Sequence, residues 1–165
     1  MKAPVAEETT GADPHFRLEA SLNRSSFKDG DEMLISIKPT KDCYVSVFNI
    51  LEDEKIVRLI PNRLKADNFL TANKTFSFPA KKDKRKGIIL RAHTPEDKDT
   101  VTETIYVLAL KQPIDFNAGK FQEGIYGVYN GQTAFMNDLI KEIVGIPLSE
   151  RAEKLVPYQI TAERK

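Results

Sequence analysis

From Phe16 onward the chain alternates apolar and polar positions with a period of two. Phe16, Leu18, Ala20 and Leu22 share one face, and Arg17, Glu19, Ser21 and Asn23 share the other. That is the pattern of a strand with one face buried. Asp29-Gly30-Asp31 reads as a turn, because glycine takes a positive φ without a Cβ clash. Met33, Ile35 and Ile37 then form a second strand, which Pro39 ends. Cys43-Tyr44-Val45-Ser46-Val47-Phe48-Asn49-Ile50 is apolar on both faces and predicts a central strand. After the polar turn Glu52-Asp53-Glu54, the segment Lys55–Ile60 returns as its hairpin partner, closed by Pro61-Asn62. Further strands are predicted at Thr75–Phe78, Ile88–Ala92 and Thr104–Leu110, with a last alternating run at Val156, Tyr158, Ile160 and Ala162.

The rhythm changes after Gln112. Residues 113–132 read as a long loop in which Gly119, Gly124, Gly127 and Gly131 interleave with Phe116, Phe121, Tyr126 and Tyr129. A short extra strand fits at Ile125–Tyr129. Phe135, Leu139 and Ile143, with Ile140 and Val144, then recur at helical spacing. They predict a helix over about residues 134–144, with Thr133 as its N-cap and Gly145 as its stop. Ser149 begins a brief second turn.

About seven or eight short strands with one late helix predict an all-β chain, an immunoglobulin-like β-sandwich. A closed barrel is the alternative. A parallel α/β fold would need helices alternating with the strands. Residues 1–14 show no period and are read as a flexible lead-in to a single domain over 15–165.

Composition narrows the chemistry. Lys plus Arg is 25 and Asp plus Glu is 24, a net charge of +1, which argues against a general nucleic-acid binder. The basic run Lys81-Lys82-Asp83-Lys84-Arg85-Lys86 is read as a solvated loop guarding a strand edge, with weak polyanion binding as the alternative. A single cysteine excludes an internal disulfide framework and a Cys-rich zinc site. No Asp-x-Asp-x-Asp-Gly calcium loop, Gly-x-Ser-x-Gly elbow or phosphate loop occurs, so no metal, cofactor or catalytic residue is assigned. No apolar run reaches the roughly 18 residues of a membrane span, and residues 1–8 lack a signal-peptide apolar region.

Phe27-Lys28-Asp29-Gly30-Asp31, Leu34-Ile35-Ser36-Ile37, Asp42-Cys43-Tyr44-Val45-Ser46-Val47-Phe48 and Ile56-Val57-Arg58-Leu59-Ile60-Pro61-Asn62 carry a family resemblance in their order and spacing. Over about residues 27–110 the chain resembles the bacterial domain-of-unknown-function 4384 family. Two positions depart from it: the hairpin turn Glu52–Lys55 lacks a glycine, and Ile60 stands where an aromatic commonly precedes Pro-Asn. The matched residues are mostly structural, so the resemblance implies no catalytic residue. It implies a bacterial accessory domain, exported or at the cell envelope, with a cytoplasmic location as the alternative.

The leading expectation is a non-enzymatic module that binds a protein or envelope partner through the 113–132 loop. Phe121, Tyr126 and Tyr129 would supply contact area, and Asn130 and Gln132 hydrogen bonds. The structural alternative is a lid over one open end or face of the sandwich, with Phe116, Phe121 and Tyr126 as plugs. An enzymatic alternative, a thiol hydrolase, would pair Cys43 with His93; it requires an accessible thiol with a base beside it. Cys43 lies in a predicted core strand, where a free cysteine behaves as a small apolar residue.

Overall fold

A computed structural model describes residues 15–113 and 127–163. The chain is mainly β, built as two sheets packed face to face with a C-terminal helix on the outer face of the larger one. In chain order the elements are β1 (Leu18–Leu22), β2 (Ser26–Lys28), β3 (Ile35–Pro39), β4 (Cys43–Ile50), β5 (Lys55–Ile60), β6 (Phe69–Leu70), β7 (Phe76–Phe78), helix α1 (Lys81–Arg85), β8 (Thr100–Leu110), β9 (Gly127–Asn130), helix α2 (Gln132–Ile143) and β10 (Arg151–Thr161). A 3-10 turn, Leu148–Glu150, leads into β10.

The smaller sheet has the order β1-β3-β7 and the larger β2-β10-β8-β4-β5-β9, with β6 paired to β4. All pairings are antiparallel except that of β10 with β2. The longest register runs the whole length of β8 and β10, from Arg151 opposite Leu110 to Thr161 opposite Thr100.

Alternation along the strands explains the layers. Cys43, Val45 and Val47 of β4 and Ile105, Val107 and Ala109 of β8 face inward. They meet Leu18, Ile35, Ile37 and Phe78 of the small sheet in one core. The opposite faces of the same strands, Phe48 of β4 with Tyr106, Leu108 and Leu110 of β8, form a second core with Phe135, Leu139 and Ile143 of α2. This is why β4 is apolar on both faces: the sandwich covers one side and the helix the other. Phe135 sits at the centre of the outer core, its ring centroid 4.9 Å from that of Phe48 in an edge-on contact.

Three local expectations are corrected. The helix starts two residues early, and its N-cap is Gly131 rather than Thr133. Gly131 holds φ +99°, a conformation that threonine takes only at a cost. The run Lys81–Lys86 is no simple loop: Lys81–Arg85 is a helical turn. Asp83 anchors it from the buried side, accepting a hydrogen bond from Ala80 N (2.8 Å) and an ion pair from Lys65 (3.4 Å). An acidic residue that reaches back to the N-terminal backbone is a helix-start device. Finally, residues 88–92 form no named strand. They tie to the β2–β3 connection through Met33 N to Leu90 O and Ala92 N to Asp31 O, both 2.9 Å.

Candidate functional site

The structure places the expected site residues as follows. Phe121 and Tyr126 lie outside the described residues. Tyr129 and Asn130 belong to β9 and Gln132 opens α2, but their side chains also lie outside the description. The backbone of β9 pairs with β5, Tyr129 opposite Ile56 and Asn130 opposite Lys55. The end of the 113–132 segment is thus a sheet-edge strand, at the place where a short strand was expected.

Cys43 is fully buried (0% exposed) among the inner-core residues, as its strand position predicts. Burial first, and the neighbouring Asp42 charge second, push its thiol up to about 11, away from the thiolate that nucleophilic catalysis needs. His93 points outward, with its Nδ1 3.3 Å from Asp29 Oδ1. The carboxyl of Asp29 is itself held below its ordinary range, chiefly by the backbone N–H of Thr94, 2.7 Å away. In the basic run, Lys84 is paired with Glu32 at 2.9 Å.

Two features not read from the sequence remain. The first is a groove of about 690 Å³ along the free edge of β1, floored by Ala20 and Ile37 and bounded by Ala152, Glu153 and Lys154 of β10. Arg17, Lys38 and Lys154 supply positive charge there, and Glu19 and Glu153 negative charge. The register fixes which backbone groups face out. Thr40 N bonds Arg17 O and Asn23 N bonds Leu34 O, both at 3.0 Å. Odd-numbered residues of β1 therefore spend their backbone groups on β3, since hydrogen-bonded pairs alternate along an antiparallel ladder. Leu18, Ala20 and Leu22 turn their N–H and C=O groups to the open side, where no described strand pairs with β1.

The same reasoning applies to β10. Lys111 N bonds Glu150 O (3.0 Å) and Ala162 N bonds Asp99 O (2.7 Å), so even-numbered residues of β10 serve β8. Odd-numbered residues face the other side. There β2 takes only the Gln159–Thr161 end. Pro157, which has no N–H to give, stands on that edge side, the position a proline tolerates.

The second feature is a polar cleft of about 420 Å³ at the opposite end of β10, between the β4–β5 turn and the start of β8. Its walls carry Glu52, Asp53, Arg91, His93 and Lys98, and its lining includes Asn49 and Glu103. Behind it, the Tyr158 hydroxyl lies 2.9 Å from Asn49 Oδ1 and 2.9 Å from Glu103 Oε1. Asn49 is 8% exposed and Glu103 9%. Desolvation raises the Glu103 pKa; the Tyr158 hydrogen bond lowers it, and the charges of Asp53 and Glu52 raise it further. Burial likewise raises the pKa of Tyr158. One hydroxyl proton cannot fully serve two acceptors. The Tyr158 proton is therefore shared between Asn49 Oδ1 and Glu103 Oε1.

The sequence held a signal for this site. Asn49 is in phase with Cys43, Val45 and Val47, and Glu103 with Val101 and Ile105. Each is a polar residue on an otherwise apolar face. Among the described residues no group of His, Cys, Asp and Glu is arranged to hold a metal ion, and no helix is long and apolar enough to cross a membrane.

Neither the curated proteins nor the solved structures contain a match to the chain. A family model described as "Domain of unknown function (DUF4384)" matches residues 26–113, just over half of the chain. The match runs from β2 through β8 and includes every wall residue of the polar cleft, in agreement with the motifs from Phe27 to Asn62. The chain belongs to the DUF4384 family.

Proposed function

We propose that this chain is a non-enzymatic binding module that takes up an extended segment of a partner protein along the open edge of β1. The observation that carries this reading is the outward row of backbone groups at Leu18, Ala20 and Leu22, beside a groove of about 690 Å³ bounded on its far side by β10. An unpaired sheet edge is a template for strand addition: the main chain gives affinity, and alternate side chains give selectivity. The five residues of β1 span about 17 Å, so the incoming segment is short. Alternating charges along the groove favour a partner strand that carries both signs. The family resemblance suggests a setting at the bacterial cell envelope. The burial and raised pKa of Cys43 weigh against the thiol-hydrolase alternative.

The test is selection from a displayed library of random peptides, with Ala20→Pro as the counter-target. Proline at this position removes an outward N–H and leaves the bonds to β3 in place. Peptides retained by the wild type should be lost on Ala20→Pro at an unchanged melting temperature, with amide shifts centred on residues 18–22. Retained peptides whose shifts map elsewhere would overturn the assignment.

A further inference from the structure

The basic turn α1 is built more firmly than a solvated loop requires. At its start, Asp83 accepts a hydrogen bond from Ala80 N (2.8 Å) and pairs with Lys65 (3.4 Å). At its end, Gly87 holds φ +93° and reverses the chain. Gly87 N then donates to Lys84 O and Ile88 N to Asp83 O, both at 3.0 Å. That pair of bonds is the glycine-ended helix stop, and it seats Ile88 in the inner core. A turn of only five residues is thus fixed at both ends.

This framework sorts the charges. Asp83, the one acid in the run, is 1% exposed and faces inward. Lys84 leaves to one side, to Glu32 (2.9 Å), which Arg91 also approaches (3.8 Å). Lys81, Lys82, Arg85 and Lys86 remain. Helical spacing puts them within about 140° of the turn's circumference, on the side away from Asp83. All four are exposed, and among the described residues none forms an ion pair. The chain's net charge is only +1, so this positive face is a local concentration.

An aliphatic side chain stands beside it. Ile89 is 42% exposed, while Ile88 and Leu90 on either side of it are buried. No aromatic residue lies between Lys81 and Arg91, so nothing in this stretch stacks on bases. Cations next to an outward aliphatic side chain suit an anionic lipid surface, where phosphates and the acyl boundary lie in adjoining layers.

We infer that α1 and Ile89 form a peripheral contact for an anionic phospholipid membrane. Headgroup phosphates accept from Lys81, Lys82, Arg85 and Lys86, and Ile89 enters the boundary with the acyl chains. Helix α1 follows β7, and β7 and β1 are the two outer strands of the small sheet. Membrane contact on the β7 margin leaves the open edge of β1, on the other margin, free to take a partner.

The experiment is flotation with vesicles of phosphatidylcholine alone and of equal parts phosphatidylcholine and phosphatidylglycerol. Binding is expected only to the anionic vesicles, and raised salt should release it as screening shortens the reach of the charges. Each of Lys81→Gln, Lys82→Gln and Arg85→Gln should lower partitioning about fivefold, the contribution of one cation near the surface. Their melting temperatures should not change, since none of these side chains has an ionic partner to lose. Ile89→Ser should lower partitioning as well, without altering retention on duplex DNA. Equal binding to both vesicles, or undiminished binding by the triple glutamine variant, would overturn the assignment. Retention on duplex DNA without vesicle binding would also overturn it and give the patch to nucleic acid.

Discussion

Replacing Tyr158 by Phe isolates a single hydroxyl. The ring keeps its burial and its edge-on contact with Phe27, centroid to centroid 5.8 Å. What is lost is the oxygen that lies 2.9 Å from both Asn49 and Glu103. Leaving buried polar atoms without a partner costs about 1–3 kcal/mol. For a chain of this size that is a fall of roughly 2–4 °C in melting temperature per kcal/mol. The pH dependence is the sharper readout. The folded-state pKa of Glu103 lies above its ordinary value, because of burial first and the Tyr158 bond only partly offsetting it. Stability from such a group is fully present below the unfolded pKa and is lost as pH rises through the folded one. Tyr158→Phe removes the bond that favours the carboxylate, so its deficit should widen from pH 4 towards pH 8. Glu103→Gln should do the reverse, matching the wild type at low pH and exceeding it at pH 8. The double variant should show a flatter pH profile. Urea and thermal unfolding followed by circular dichroism measure all four. A pH-independent deficit for Tyr158→Phe, or a Glu103→Gln protein less stable than the wild type at pH 8, would refute the buried triad.

Three further outcomes follow from the packing. Phe135→Ala should cost about 3–5 kcal/mol in urea unfolding, because the ring is fully buried between α2 and Phe48 and its loss opens a cavity in the outer core. Asp83→Ala should cost about 1–3 kcal/mol by the same assay, since it strips the Ala80 N–H and Lys65 of a buried acceptor. Cys43 should resist a thiol reagent in the native protein at pH 8 and react fully once unfolded; rapid native labelling would reopen the thiol chemistry.

The strands were legible wherever one row of side chains was apolar. β1, β3 and the end of β10 could be read from period-two alternation, β5 as the return of a hairpin and β8 from its β-branched and aromatic content, and the two-faced apolarity of β4 correctly marked it as central. Helix α1 was hidden because five basic residues mask its one informative side chain, Asp83, whose role depends on a contact with Lys65. Residues 88–92 have the composition of a strand but lack a partner long enough to make one; composition reports what a segment could pair with, not what lies beside it. The polar cleft assembles from residues 55 and 109 positions apart, joined only through strand order. The groove on β1 depends on which edge of a sheet is left open, and that is a property of topology. No local pattern encodes the groove, and the cleft shows locally only as Asn49 and Glu103 on otherwise apolar faces.

The last strand of the chain does not lie at a margin. β10 enters between β2 and β8 and pairs with β8 along its entire length. On the ribosome, β2 and β8 both emerge long before the strand that joins them. Until β10 arrives, the long and mostly apolar β8 has an open flank, and β2 has no neighbour in its sheet. Closing that gap requires contacts between residues far apart in sequence, which slows folding and prolongs exposure of an adhesive edge. The larger sheet is therefore completed by strand insertion rather than strand addition.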